Sequence, residues 1–205
     1  MTEVDRAPRN GLDIRPLTDE TWEALAALFR EGGDPRWCWC QFWRLRSKDM
    51  SGMKVPELRE RLHDQARSEP APGLVAFEGD RAVGWVSVAP RDDYQRVVHS
   101  KVIPKIDDRP VWSIVCFAVS PTARGRGVAR ALLEAAIEFA RSNDANMVEA
   151  YPRALDSSAA VHPDSLYTGT LAMFERLGFE VVADRASDPS SKSPRVVVRL
   201  DLADR

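Results

Sequence analysis

A chain of 205 residues with 44% hydrophobic side chains is long enough for one α/β domain with a substantial core. Its 29 basic and 31 acidic residues leave a net charge of -2. This excludes the basic field that holds proteins on nucleic acid, so no nucleic-acid partner is expected. No apolar run approaches the roughly 18 to 20 residues of a membrane span, and residues 1–10 lack the apolar core of a signal peptide. The expectation is a cytoplasmic protein with no membrane partner. Its three cysteines suit a reducing compartment better than a disulfide framework.

Residues 1–10 read as a flexible tail, and 11–205 as a single domain. Leu12 to Leu17 alternates in character as a short strand closed by its proline. Thr18 is placed to cap a helix whose first turn holds Asp19 and Glu20. Trp22, Leu25, Leu28 and Phe29 recur at helical spacing, and Gly32-Gly33 with Pro35 breaks the run. Arg36 to Arg44 holds three of the six tryptophans. A second helix is predicted over Pro56 to Ala66. Leu74 to Glu78 and Ala82 to Val88, joined by Gly79-Asp80, form a hairpin.

Arg91 to Pro110 is long, polar and without period, the pattern of a lid or binding loop. Trp112 to Val119 is a nearly continuous run of strand formers, as in a central strand covered on both faces. A turn at Ser120 to Ala123 leads to a Gly-rich segment. The helix after it faces inward with Val128, Leu132, Leu133, Ala136, Ile137 and Ala140. Asn146 to Tyr151 is a further buried strand. Loop-like sequence from Pro152 to Gly169 precedes a short helix, Leu171 to Leu177, stopped by Gly178. Phe179 to Val182 is a strand, Ala186 to Pro194 a polar loop, and Val196 to Leu202 a final alternating strand. Hairpins thus precede one strong β-loop-helix-β unit.

That unit carries the chemistry. In Arg124-Gly125-Arg126-Gly127-Val128-Ala129, the glycines let backbone approach a ligand closely. The helix behind them offers unpaired N–H groups and its positive dipole end. Together these suit a phosphate or pyrophosphate. The dinucleotide fingerprint fails, because Arg130 stands where a third glycine is needed and the repeated βαβ units are missing. A P-loop fails because no Gly-Lys-Ser/Thr ending follows Gly125 or Gly127.

Phe117 to Pro121 followed by Arg124 to Ala129 resembles the acyl-CoA signature of the GNAT acetyltransferases, Gln/Arg-x-x-Gly-x-Gly/Ala after a strand and turn. Phe174-Glu175-Arg176-Leu177-Gly178-Phe179 resembles the family's second landmark, a short helix ending in Gly-Phe. The resemblance implies the GNAT acyl-CoA N-acyltransferase fold, an α/β (α+β) arrangement with a mixed central sheet flanked by helices. It implies acetyl-CoA or another acyl-CoA as cosubstrate, no metal, and direct transfer to an amine of a small molecule or peptide. A homodimer is compatible with it. The CoA-binding residues it implies are Phe117, Ala118 and Val119, and then Arg124, Gly125, Arg126, Gly127, Val128 and Ala129. The backbone of Phe117 and Val119 would pair with the pantetheine arm, and the turn's N–H groups would hold the pyrophosphate.

The sequence also departs from the family pattern. Phe174 stands where many members carry a tyrosine that protonates the CoA thiolate, and Ser113 aligns with a glutamate used as base. Tyr167 is a candidate substitute acid, or a packing residue. Glu149 is the candidate base, or a structural partner for an arginine; His99 and His162 are weaker candidates in loops. The alternative reading is a non-catalytic module of this fold that binds CoA or a partner. Trp37, Trp39 and Trp43, in a Trp-Cys-Trp-Cys segment, line either an acceptor pocket or the core. The Cys-x-Cys spacing fits neither zinc nor a redox motif, and Cys116 reads as core.

Overall fold

The computed structural model describes residues 11–153, 167–184 and 195–203. The expected tail 1–10, the polar loop 186–194 and His162 lie outside them. Seven strands form one sheet in the order β1-β2-β3-β4-β5-β7-β6. They are β1 Asp13–Pro16, β2 Gly73–Glu78, β3 Arg81–Pro90, β4 Trp112–Val119, β5 Met147–Ala150, β6 Glu180–Asp184 and β7 Val196–Asp201. Only β4 and β5 pair in parallel; every other neighbouring pair is antiparallel. That single parallel step is the crossover through the 15-residue helix α7, Val128–Ser142.

Both faces of the sheet are covered, which is why β2, β3 and β4 read as continuous apolar runs. One layer packs Leu74, Ala76, Val86, Ile114, Val148 and Val198 against Val128, Leu132, Leu133, Ala136 and Ala140 of the crossover helix. The other packs Val75, Phe77, Trp85, Val115 and Val197 against the N-terminal helices. These are α1 Asp19–Arg30, α2 Pro35–Cys38, α3 Gln41–Arg44, α4 Ser47–Met50 and α5 Val55–Gln65. Thr18 begins α1 through a reciprocal bond in which Thr21 Oγ1 accepts from the Thr18 N–H. The remaining helices are α6 Gln95–Val98, α7 Val128–Ser142 and α8 Leu171–Glu175.

Two local departures from the sequence reading position the site. Trp39 and Cys40 take left-handed backbone (φ 45° and 54°) between α2 and α3. This is uncommon for residues with a Cβ, and the chain reverses there. The stretch 91–110 is not a simple loop: it holds a 3-10 turn at Arg91–Asp93 and α6. Asp107 ties it down, accepting from Arg199 Nη1 of β7 at 2.7 Å. Among the described residues no helix is long and apolar enough to cross a membrane.

Candidate active site

β4 and β5 pair only from Trp112↔Val148 to Ile114↔Ala150. Beyond Ile114 the strands part, and β4 runs on to Val119 still paired with β3 but, among the described residues, with no strand on its β5 side. Ser120 donates to Val83 on the β3 side, so alternation turns the backbone of Phe117 and Val119 toward the gap. The Phe117 N–H is taken there by the carbonyl of Tyr167 at 2.5 Å. Of the two residues expected to pair with an extended ligand, Val119 is the one whose groups face the gap without that bridge.

A cleft of about 440 Å³ opens along this edge. Phe117, Ala118, Val119, Arg124, Gly125, Gly127, Val128 and Ala129 line it on the side foreseen from sequence. Gly125 and Gly127 have φ of 74° and 83°, values that glycine adopts without steric cost. The first intrahelical bond of α7 is Ala131 N–H to Gly127 O. The N–H groups of Val128, Ala129 and Arg130 therefore have no helical partner and border the cleft. This fits a pyrophosphate. Arg126 does not line the cleft and instead pairs with Glu78 at 2.5 Å.

The opposite wall was not foreseen. Glu31, Gly32, Gly33, Asp34 and Pro35, which the sequence marks only as a helix break, complete the cleft. Glu31 closes α1 against the end of β4: Ser120 Oγ donates to it at 2.6 Å and Arg81 Nη2 at 2.7 Å. These bonds hold its carboxyl below the usual glutamate range.

A second pocket of about 280 Å³ adjoins the cleft. Asp34, Pro35 and Tyr167 line both cavities. Trp37 and Trp43 lie on the second pocket with Cys38, Cys40, Phe42 and Cys116. Trp39 is behind it, 4% exposed, with its ring 5.9 Å from Trp22 and 5.4 Å from Phe29. The reversal at Trp39 and Cys40 separates Trp37, 59% exposed, from its neighbour in the core. Burial pushes the Cys38 thiol up to about 12, with Cys40 beside it. The contact with Cys40, 3.9 Å from sulfur to sulfur, and burial raise that of Cys116. Cys38 and Cys116 therefore stay protonated near neutral pH.

Residues 39–179 match the family model described as "Acetyltransferase (GNAT) family". The chain belongs to the GNAT acetyltransferase family. No curated protein matches it. The fold of this GNAT-type N-acetyltransferase is shared with solved structures of low identity. A variant of agmatine N-acetyltransferase in its apo form is 14% identical, with a TM-score of 0.57 over 94% of this chain and 100% of that one. The NatC complex bound to Gag peptide and CoA gives 16%, 0.53, 93% and 98%. A GCN5-related N-acetyltransferase from Kribbella flavida gives 18%, 0.53, 94% and 98%.

Within this GNAT protein the two catalytic candidates lie in different settings. Tyr167 borders both cavities, and its hydroxyl accepts from Arg195 Nη2 at 3.3 Å. Glu149 is fully buried and borders neither. It accepts from Tyr151 Oη at 2.5 Å and from Arg199 Nε at 2.7 Å, with Arg91 Nε 3.4 Å away. Ser113, its register partner on β4, reaches the same tyrosine at 2.9 Å. The cluster joins β4, β5, β7 and the 91–111 segment, and Glu149 has the arginine partners of the structural alternative. Phe174 is fully buried, its ring 5.1 Å from Phe179 and 6.3 Å from Phe117. His99 lies at the end of α6, away from both cavities.

Proposed function

We propose that this chain transfers an acetyl or other short acyl group from acyl-CoA directly to an amine of a small molecule or peptide. The observation that carries this reading is the junction of the two cavities at Asp34, Pro35 and Tyr167. A cleft with the backbone geometry of an anion site opens there onto an apolar pocket, so two reactants can meet at one point. Bringing them together in line is itself a large part of catalysis.

Acyl-CoA supplies an activated acyl carbonyl. The turn Arg124 to Ala129 holds the phosphates, and the Val119 backbone steadies the arm by strand-like pairing. The amine attacks the carbonyl carbon, a C–N bond forms, the C–S bond breaks, and the amine gives up one proton while the thiol gains one. Tyr167 is the group placed to hand a proton to the departing sulfur. A thiol of ordinary pKa, about 8.5, leaves tolerably well even so. Transfer is direct: of the three pocket thiols, Cys38 and Cys116 are held protonated, where only thiolates are effective nucleophiles, and Cys40 is 2% exposed, with its sulfur between Trp85 Nε1 and Cys116 Sγ.

Mixing the protein with acetyl-CoA alone and then with amines tests the reading. It predicts no stable acyl mass on the protein, and CoA release matched by acetylated amine. An acyl-protein that forms without amine contradicts direct transfer.

A further inference from the structure

Of the three residues common to the cleft and the second pocket, Asp34 alone carries a formal charge at neutral pH. It stands before Pro35 at the start of α2 and makes no side-chain capping bond. Among the described residues, its carboxylate has no hydrogen-bond or ion-pair partner. Glu31, the other carboxylate on the cleft, is spent on Ser120 and Arg81. Asp34 is thus the available anion where an acceptor must meet the acyl group.

The rest of the second pocket is apolar and aromatic, and its aromatic walls are already engaged. The guanidinium of Arg36 lies 4.4 Å over the Trp37 ring, that of Arg96 4.0 Å over Phe42, and that of Arg195 5.0 Å over Trp43. Each ring therefore spends its attraction for cations on an arginine of the protein. A cation placed deep in the pocket would lie near the three like charges stacked on those rings, and Asp34, at the mouth, is the one carboxylate on the lining among the described residues. One ammonium at the mouth is matched by Asp34; a second one inside is opposed.

We propose that the acceptor is a monoamine on an apolar, ring-sized body, whose ammonium is received by Asp34 while the body fills the second pocket. Polyamines are rejected by the arginines stacked on the aromatic walls. The inference rests on the acyl-transfer reading of the cleft and names the acceptor class for that same site. The volume of about 280 Å³ lies near the lower end of small-molecule pockets, about 300 Å³, and suits one ring rather than a long chain. The bound ammonium loses one proton to water before its nitrogen attacks.

The test uses 2-phenylethylamine and spermidine as acceptors with acetyl-CoA, on the wild type, Asp34→Asn and Asp34→Glu. Free thiol reports turnover, calorimetry reports acetyl-CoA binding, and tryptophan fluorescence reports amine binding on its own. The wild type should favour 2-phenylethylamine over spermidine by about tenfold or more in kcat/KM. Asp34→Asn should raise the amine KM by about 10- to 100-fold, the cost of a lost charge-assisted hydrogen bond. Its acetyl-CoA affinity should stay within about twofold, and Asp34→Glu should recover part of the loss. Preference for spermidine, or an unchanged amine KM in Asp34→Asn, overturns the proposal while leaving acyl transfer standing. If acetyl-CoA does not bind, the acyl-transfer reading falls, and the fluorescence titration decides separately. Quenching by 2-phenylethylamine that depends on Asp34 supports the pocket's amine preference, and its absence overturns it.

Discussion

The carbonyl of Tyr167 accepts the backbone N–H of Phe117 at 2.5 Å, so the gap between β4 and β5 is bridged at one level and open at the next. The bridge is made by main chain, which leaves the Tyr167 side chain at the meeting point of the two cavities. Backbone and side chain therefore have separable roles. Tyr167→Phe should keep the bridge and hold acetyl-CoA affinity within about twofold. Its kcat should fall by about 100-fold, as for loss of a general acid. Steady-state kinetics with calorimetry checks this, and a variant with full kcat removes Tyr167 as proton donor.

Glu149 sits among Tyr151, Arg199 and Arg91 with no exposure. Removing one partner of a buried ion cluster leaves the others uncompensated, at a cost of about 3–5 kcal/mol. Glu149→Ala should lower stability in urea by that order, because Arg199 then retains only Asp107. A base acting in the reaction would behave differently, with kcat lost and stability kept.

The tryptophans should separate in the same way. Trp39 packs against Trp22 and Phe29 in the core, so Trp39→Ala should cost about 3–5 kcal/mol. Trp37 is 59% exposed on the second pocket. Trp37→Ala should stay within about 0.5 kcal/mol of the wild type and show its effect in the acceptor KM. Chemical denaturation and acceptor kinetics on the two variants distinguish them.

Acid should withdraw the stability that Asp107 gives the 91–111 segment. The bond from Arg199, with further help from Arg109, holds the Asp107 carboxyl well below the usual aspartate range. Its folded pKa is depressed, so its contribution is complete above the unfolded value of about 3.9 and is lost as pH falls through the folded one. Glu31, lowered by Ser120 and Arg81, follows the same sign. The thermal midpoint should be flat from pH 7 to about 5 and fall below about 4. In Asp107→Asn the midpoint should be lower at pH 7 and fall less steeply in acid.

Much of the fold was legible because its signals are local. The period of α7 and the continuous apolar run of β4 each state their burial within a dozen residues. The glycine turn was legible for the same reason, since positive φ at Gly125 and Gly127 leaves a mark in sequence. Asp34 was not, because its importance comes from a cleft built by elements more than eighty residues away. Glu149 stays open from sequence alone, since an acid beside a strand splay reads equally as a base or as an arginine's partner, and only the fold brings Arg199 and Tyr151 to it. Trp37 and Trp39 alternate identically in sequence, and only the left-handed backbone at Trp39 sends them apart.

The most direct test of the account is a calorimetric titration of CoA and acetyl-CoA into the wild type and Gly127→Glu. Gly127 has φ 83° and open space around its α-carbon. A glutamate there meets no neighbour, but it strains the turn by about 1–2 kcal/mol and sets a carboxylate against the bound phosphates. The account predicts 1:1 binding to the wild type and none to the folded variant. Absence of binding to well-folded wild type, or equal binding to both, would contradict it.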